Sequence, residues 1–234
     1  MSPRPHTPGP ETRAEDSRRQ LRSVAAREIR RLILTGELAG GQRLRVEPLA
    51  AQLNVSATPV REALISLTGH GLVRFDHGRG FTVLPLRRED MIDLYAMQAH
   101  ISGELAIRAT PRLSDVAIDE LEEMQAALER AIDGGDLVAA QRIDFAQHRL
   151  INRAAAAPKL TWLLTSTLRF VPFDAYAEIP GWPAAGRNDH AAIFAGFRTG
   201  NPLTARDAMR AHIRHSGDLL VQLLTLRGVL TNEV

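Results

Sequence analysis

Val55-Ser56-Ala57-Thr58-Pro59-Val60-Arg61-Glu62-Ala63-Leu64-Ile65-Ser66-Leu67, followed by Gly69-His70-Gly71-Leu72, decides how this chain is read. Val60, Ala63, Leu64 and Leu67 follow the i, i+3, i+4, i+7 spacing of an amphipathic helix. Ser56 or Thr58 can cap its start, and Pro59 suits a first helical turn. Just upstream, Val46 to Leu53 reads as a second short helix with Leu49, Ala50 and Leu53 turned inward. Asn54 falls between them, where a tight turn often needs a left-handed residue. Helix, short turn, helix is the geometry that lays a recognition helix in the DNA major groove. Arg61 falls on the polar face of that helix, free to meet a phosphate or a guanine edge.

The stretch from Val73 to Leu84 alternates apolar and polar residues around the tip Gly78-Arg79-Gly80, the pattern of a β-hairpin. A helix pair followed by a basic-tipped hairpin is a winged helix-turn-helix. The DNA-contacting candidates are therefore Arg45, Ser56, Thr58, Arg61, His77, Gly78 and Arg79. Double-stranded operator DNA is the expected partner.

Composition agrees. The chain has 234 residues, 44% of them apolar and 24% charged, which is ordinary for a globular protein of one or two domains. No apolar run approaches the roughly 18 residues of a membrane span, and no apolar signal core opens the chain. The absence of cysteine excludes disulfides, cysteine-ligated zinc and thiol nucleophiles. A cytoplasmic location is the expectation. The net charge of +2 hides an asymmetry: through Arg88 there are 15 arginines against 8 acidic residues, and afterwards 14 basic against 19 acidic. A basic first part and an acidic second part fit DNA contact at one end only.

Residues 1–16, rich in Pro, Ser, Arg and Gly, read as a disordered tail. Residues 17–84 form the winged domain, 85–88 a linker, and 89–234 an all-α bundle of about six helices without a convincing strand. The expected helices run from Asp90 to Ala109, from a Ser114 cap to Gly134-Gly135, and from an Asp136 cap to about Ala156. Three more run from Pro158 to about Ala177, from near Arg187 to Thr199-Gly200, and from Asn201-Pro202 to about Arg227. Trp162, Phe170, Phe173 and Tyr176 read as core or pocket wall.

Asp144 and His148 are four apart and share a helical face. His190 and His212 lie in two later helices. A carboxylate and three imidazoles are good ligands for zinc, nickel, manganese or iron(II). Spacing alone does not bring three helices together, and surface or capping histidines would read the same way.

The residues from Val24 to Leu84 resemble the N-terminal domain of GntR-type transcription regulators. Ile29, Ile33, Gly36, Leu38, Gly41 and Leu44 carry the likeness, with Leu49-Ala50, Val55-Ser56, the Thr58–Leu64 run and Gly71-Leu72-Val73. Ala57 departs from the Arg usual there, so one base-reading side chain is missing. The rest of the chain resembles the helical ligand-binding (FCD) domain of the family's FadR subgroup. It keeps that domain's order: Asp144 to His148, then His190, then Ala205, Ala208, Met209 and His212. The resemblance implies a divalent metal on Asp144, His148, His190 and His212, zinc or nickel first, with manganese or iron as alternatives. It also implies a small-molecule effector, a homodimer and a repressor. Gln98 and Ser102 stand where the family often has Arg and Glu. An organic acid is the expected effector, relying on the metal, on Gln98, or on another cation such as Arg169; the missing Arg equally fits an effector that is not a simple carboxylic acid. Two other uses remain for such a site: a metal-dependent hydrolase, or a sensor of metal alone.

Overall fold

The computed structural model describes residues 10–170 and 179–231; the side chains of residues 10–16 and of Arg169 lie outside the described ones. The chain divides into two compact units, Met1–Leu86 and Arg87–Val234.

In the first unit α1 (Pro10–Leu34) places Ala25, Ile29, Leu32 and Ile33 in the core. Residues 10–16, read from composition as part of a disordered tail, belong to this helix; residues 1–9 lie outside the described ones. Strand β1 (Arg43–Leu44) follows, then α2 (Val46–Gln52) and α3 (Ala57–Thr68). Val60, Ala63, Leu64 and Leu67 of α3 are fully buried, so the 3.6-residue stripe is the core-facing one. Asn54 is left-handed, with φ 52°, and lets the chain reverse between α2 and α3. Ser56 stands at the N-cap of α3, but no side chain caps that helix, and Thr58 lies inside its first turn.

Strands β2 (Val73–Asp76) and β3 (Gly80–Val83) form the expected hairpin, with Phe75 opposite Phe81. Strand β1 adds to the far edge of β3, giving the order β1-β3-β2. That third strand was not apparent in the sequence, because two residues carry no alternation. Residues 85–88, expected as a linker, hold β4 (Leu86–Arg87) and the first residue of α4 (Arg88–Ala109).

The second unit continues with α5 (Asp115–Asp133), α6 (Leu137–Ala154), α7 (Pro158–Thr167), α8 (Trp182–Arg198) and α9 (Pro202–Leu226). The side chains of Ser114, Asp136 and Asn201 cap α5, α6 and α9 by accepting from backbone N–H groups of the first turn. Helix α7 ends at Thr167 and passes into a 3-10 turn over residues 168–170. The expected continuation to Ala177, with Phe173 and Tyr176, lies outside the described residues.

Helix α8 starts five residues before the expected Arg187. Gly181, at φ 84°, provides a left-handed N-cap, and Pro183 sits in the first turn, where its missing N–H costs nothing. Two prolines around a glycine read as a loop, yet they also suit a helix start. Trp162, expected in the core, is 64% exposed on α7. A short strand, β5 (Leu230–Thr231), follows α9, so the second unit is not wholly helical. Among the described residues no helix is long and apolar enough to cross a membrane.

Helices α8 and α9 meet at Gly196, where an added Cβ would stand 2.6 Å from the backbone nitrogen of Ala205. Alanine is the better helix former by up to ~1 kcal/mol. Overpacking of this kind costs ~1–3 kcal/mol, and backbone cannot rotate away as a side chain can. Gly196→Ala is therefore expected to lower stability, read as an earlier denaturant midpoint at unchanged slope. An unchanged or later midpoint would show that the two helices separate freely.

Candidate metal centre and DNA-facing surface

Asp144 and His148 project from α6, His190 from α8 and His212 from α9. One ligand atom from each lies within 4.8 Å of all the others, and the group is buried apart from the partly exposed His148. Each of these helices contributes buried apolar residues to one core beside the cluster. Ile193 and Phe194 of α8 and Met209 of α9 pack with Ile151 of α6. Hydrophobic burial thus sets the rotation that aims the polar residues at one point.

Hydrogen bonds behind the cluster decide which ring nitrogens face it. The Gln125 amide donates from Nε2 to the carbonyls of Gly186 and Arg187, at 3.4 and 3.3 Å. Its Oε1 must then accept from His190 Nδ1, at 3.0 Å, and from Gln147 Nε2, at 3.2 Å. His190 therefore carries its proton on Nδ1 and presents an Nε2 lone pair, buried and without a hydrogen-bond partner, 3.5 Å from Asp144 Oδ1. The Asp189 carboxylate likewise accepts from His212 Nδ1 at 3.3 Å and from His215 Nδ1 at 2.9 Å. His212 Nε2 then faces His148 Nε2 at 3.3 Å. Two imidazole acceptors and a carboxylate so close together repel unless a cation or a shared proton lies between them. Imidazoles oriented through Nδ1 by an amide or carboxylate are the usual support of metal-binding histidines. Nitrogen and oxygen donors of this type suit a divalent transition ion. The cluster fits such an ion.

Burial raises the Asp144 carboxyl to about 6, tempered by His212. Burial, with His212 beside it, holds His148 well below the ordinary imidazole range. His190 is lowered for the same reasons, with His148 adding to the effect. Those two histidines are neutral, the form that binds metal, across the physiological range. Asp144 must give up a proton, because burial disfavours its charged form. Metal affinity is therefore expected to fall below about pH 6, by at least about tenfold per pH unit, the slope of that one proton. Chelator-competition titrations from pH 5 to 8 measure this. Affinity unchanged between about pH 6 and 5 would mean that Asp144 is not a ligand.

Asp144, His148 and His212 open onto a cavity of about 90 Å³. Tyr95, Gln98, Ser102, Asn152 and Ser216 supply its other polar lining, and Leu164, Leu168, Trp182 and Ile213 supply apolar walls. Gln98 is buried and its Nε2 donates to the Thr167 carbonyl at 3.3 Å. Arg169 belongs to the 3-10 turn, and its side chain lies outside the described residues. Asp189, Gln125, Tyr95 and Ser216 were not singled out in the sequence. The one signal for Asp189 is its place next to His190.

In the first unit Arg45, Ser56, Thr58, Arg61, His77, Gly78 and Arg79 are all exposed. Arg45 is the N-cap of α2, and Arg61 makes no ion pair among the described residues. Gly78 and Gly80, at φ 76° and 81°, turn the hairpin, which Arg79 N–H closes by donating to the Asp76 carbonyl at 3.0 Å. The wing tip is thus a tight basic turn.

Residues 21–83 match the family described as bacterial regulatory proteins, gntR family, and residues 93–215 match the FCD domain. The chain belongs to the GntR family, in its FCD-containing subgroup. Relatives of this GntR protein include the uncharacterized HTH-type transcriptional regulator YdhC of Bacillus subtilis, 24% identical over 84% of this chain and 89% of that protein. The probable D-xylose utilization operon transcriptional repressor of Paenarthrobacter nicotinovorans is 29% identical over 84% of this chain and 89% of its own length. The Glc operon transcriptional activator of Escherichia coli K12 is 26% identical, with 86% and 89% covered. The solved structure of E. coli McbR/YncC shares the fold, with a TM-score of 0.64 at 22% identity over 87% of this chain and 98% of that one. Family and relatives are transcription regulators rather than enzymes, which sets the hydrolase alternative aside.

Proposed function

We propose that this GntR protein is a homodimeric repressor. Residues 17–84 bind a two-fold operator, and residues 89–234 bind a small organic acid at a divalent ion held by Asp144, His148, His190 and His212. The observation that carries this reading is the convergence of those four donors, three of them lining a cavity, with the His190 Nε2 lone pair left without a hydrogen-bond partner among the described residues. Zinc or nickel suits the three-imidazole set best; manganese or iron suits it less. A bound ion supplies positive charge for a carboxylate. Asp189 and Gln125 keep the imidazoles aimed, and the apolar walls exclude competing water. Gln98 offers the effector a neutral amide, and Arg169 a cation from the turn after α7. Arg45, Ser56, Thr58, Arg61, His77, Gly78 and Arg79 form the DNA-contacting set.

Effector and operator are coupled because each favours a different arrangement of the protein. A coupling of ~1–3 kcal/mol changes operator affinity by roughly 5–150-fold. The test is an anisotropy titration of labelled operator, selected from random-sequence DNA, with metal-loaded and metal-stripped protein across a panel of organic acids. Release of DNA by at least one acid, in the loaded protein only, is the expected result. Release by metal alone, with no acid adding to it, would replace this reading with a metal sensor. Tighter DNA binding with acid would make the protein an activator-type regulator.

A further inference from the structure

Two buried hydroxyls of the cavity have no hydrogen-bond partner among the described residues. Tyr95 on α4 and Ser216 on α9 are 5% and 4% exposed, and both line the cavity. Buried polar groups of native proteins are nearly always satisfied, so a pair left open in a cavity marks a place for a ligand oxygen. The Tyr95 ring is held there by a close approach. A Cβ on Gly217 would stand 2.5 Å from Tyr95 Cγ, so only glycine lets the ring lie against α9. Burial keeps the Tyr95 hydroxyl protonated, hence a donor. Ser216 follows His212 by four residues on the same helix face, a rise of about 6 Å.

We propose that Tyr95 Oη and Ser216 Oγ together bind an uncharged oxygen, a hydroxyl or carbonyl, on an effector whose carboxylate lies at the Asp144–His212 end of the cavity. The effector class is then a short hydroxy- or oxo-monocarboxylic acid. This rests on the metal-dependent effector site proposed above. Tyrosine donates, and serine donates or accepts, so the pair satisfies both the proton and the lone pairs of a ligand hydroxyl. Ser102 leaves room beside them on α4, where the side chain is small and buried. Among the described residues lining the cavity there is no lysine or arginine. Apart from Arg169, assigned above to the effector's carboxylate, a second carboxylate placed against these hydroxyls would meet no countercharge among the described lining residues, which disfavours dicarboxylates.

The experiment is calorimetry of the zinc-loaded full chain with butanoate, 4-hydroxybutanoate, 4-oxopentanoate and succinate. The hydroxy and oxo acids are expected to bind at least about 10-fold tighter than butanoate, and succinate no tighter than butanoate. Tyr95→Phe and Ser216→Ala should each erase most of that preference while keeping the metal content of the wild type. Equal affinity for all four acids, succinate as the tightest, or a preference that survives both substitutions overturns the hydroxyl pair while leaving the metal site standing. If none of the acids binds loaded wild type, the effector reading itself falls, and this assignment with it.

Discussion

His212→Ala is expected to lose bound metal by more than about a hundredfold in affinity, beyond the 10–100-fold typical of a group that only supports a ligand. The imidazole it removes is buried, stacks against His148 at 5.2 Å between ring centroids, and presents Nε2 to the cluster while Asp189 holds its Nδ1. Effector affinity should fall together with metal, because both are assigned to one site. Asp189→Asn tests the supporting role: it should cost the smaller, 10–100-fold loss. Elemental analysis of purified proteins gives the metal content, calorimetry the affinities, and far-UV circular dichroism the fold. Operator binding by effector-free protein should change little, since the substituted residue lies in the second compact unit. Equal metal in wild type and His212→Ala, or a wild type that holds none after loading, would sink the assignment.

Arg61→Ala carries the second large effect, on DNA. Arg61 is exposed on α3, opposite the buried stripe of Val60, Ala63, Leu64 and Leu67, so its removal should leave the fold intact. Ala57 cannot read a base, which concentrates the work of this helix on Arg61. A lost base contact costs ~1–3 kcal/mol and relaxes specificity at one position, whereas a lost phosphate contact lowers the salt slope by about 1. Gel-shift titrations at several salt concentrations separate the two. Arg79→Ala, at the tip of the wing, should cost less than Arg61→Ala, because a turn at the edge of the footprint reads fewer bases. A larger loss for Arg79 would make the wing the main reader. Unchanged affinity for Arg61→Ala would remove α3 from the groove.

Local features were legible without any structure, because each depends on neighbours within about one turn. The stripe of α3, the left-handed Asn54, the glycine-tipped hairpin, and the caps Ser114, Asp136 and Asn201 are short-range patterns. Exposure of Arg61 follows from the first of them, since a residue opposite a buried stripe must face solvent. Errors collected where a local pattern has two outcomes: Ile179 to Pro183 reads equally as a loop or as the start of α8. Strand β1 was missed because its pairing partner lies about 40 residues downstream.

The four metal-ligand candidates were legible as residue types, and Asp144 with His148 as an i, i+4 pair; that they belong to one site was only implied by the likeness to a family, since three helices separated by long stretches carry no mutual signal. What the tertiary structure alone decided is their convergence and its finish. Packing of Ile151, Ile193, Phe194 and Met209 rotates α6, α8 and α9 until the donors meet. Asp189 and Gln125 then fix which nitrogen of His212 and His190 faces inward. The placement of the Tyr95 ring depends in turn on the glycine at position 217. Such relations arise between helices, where position is set by how side chains fill the space between them. A sequence written in one dimension records the residues but not that filling.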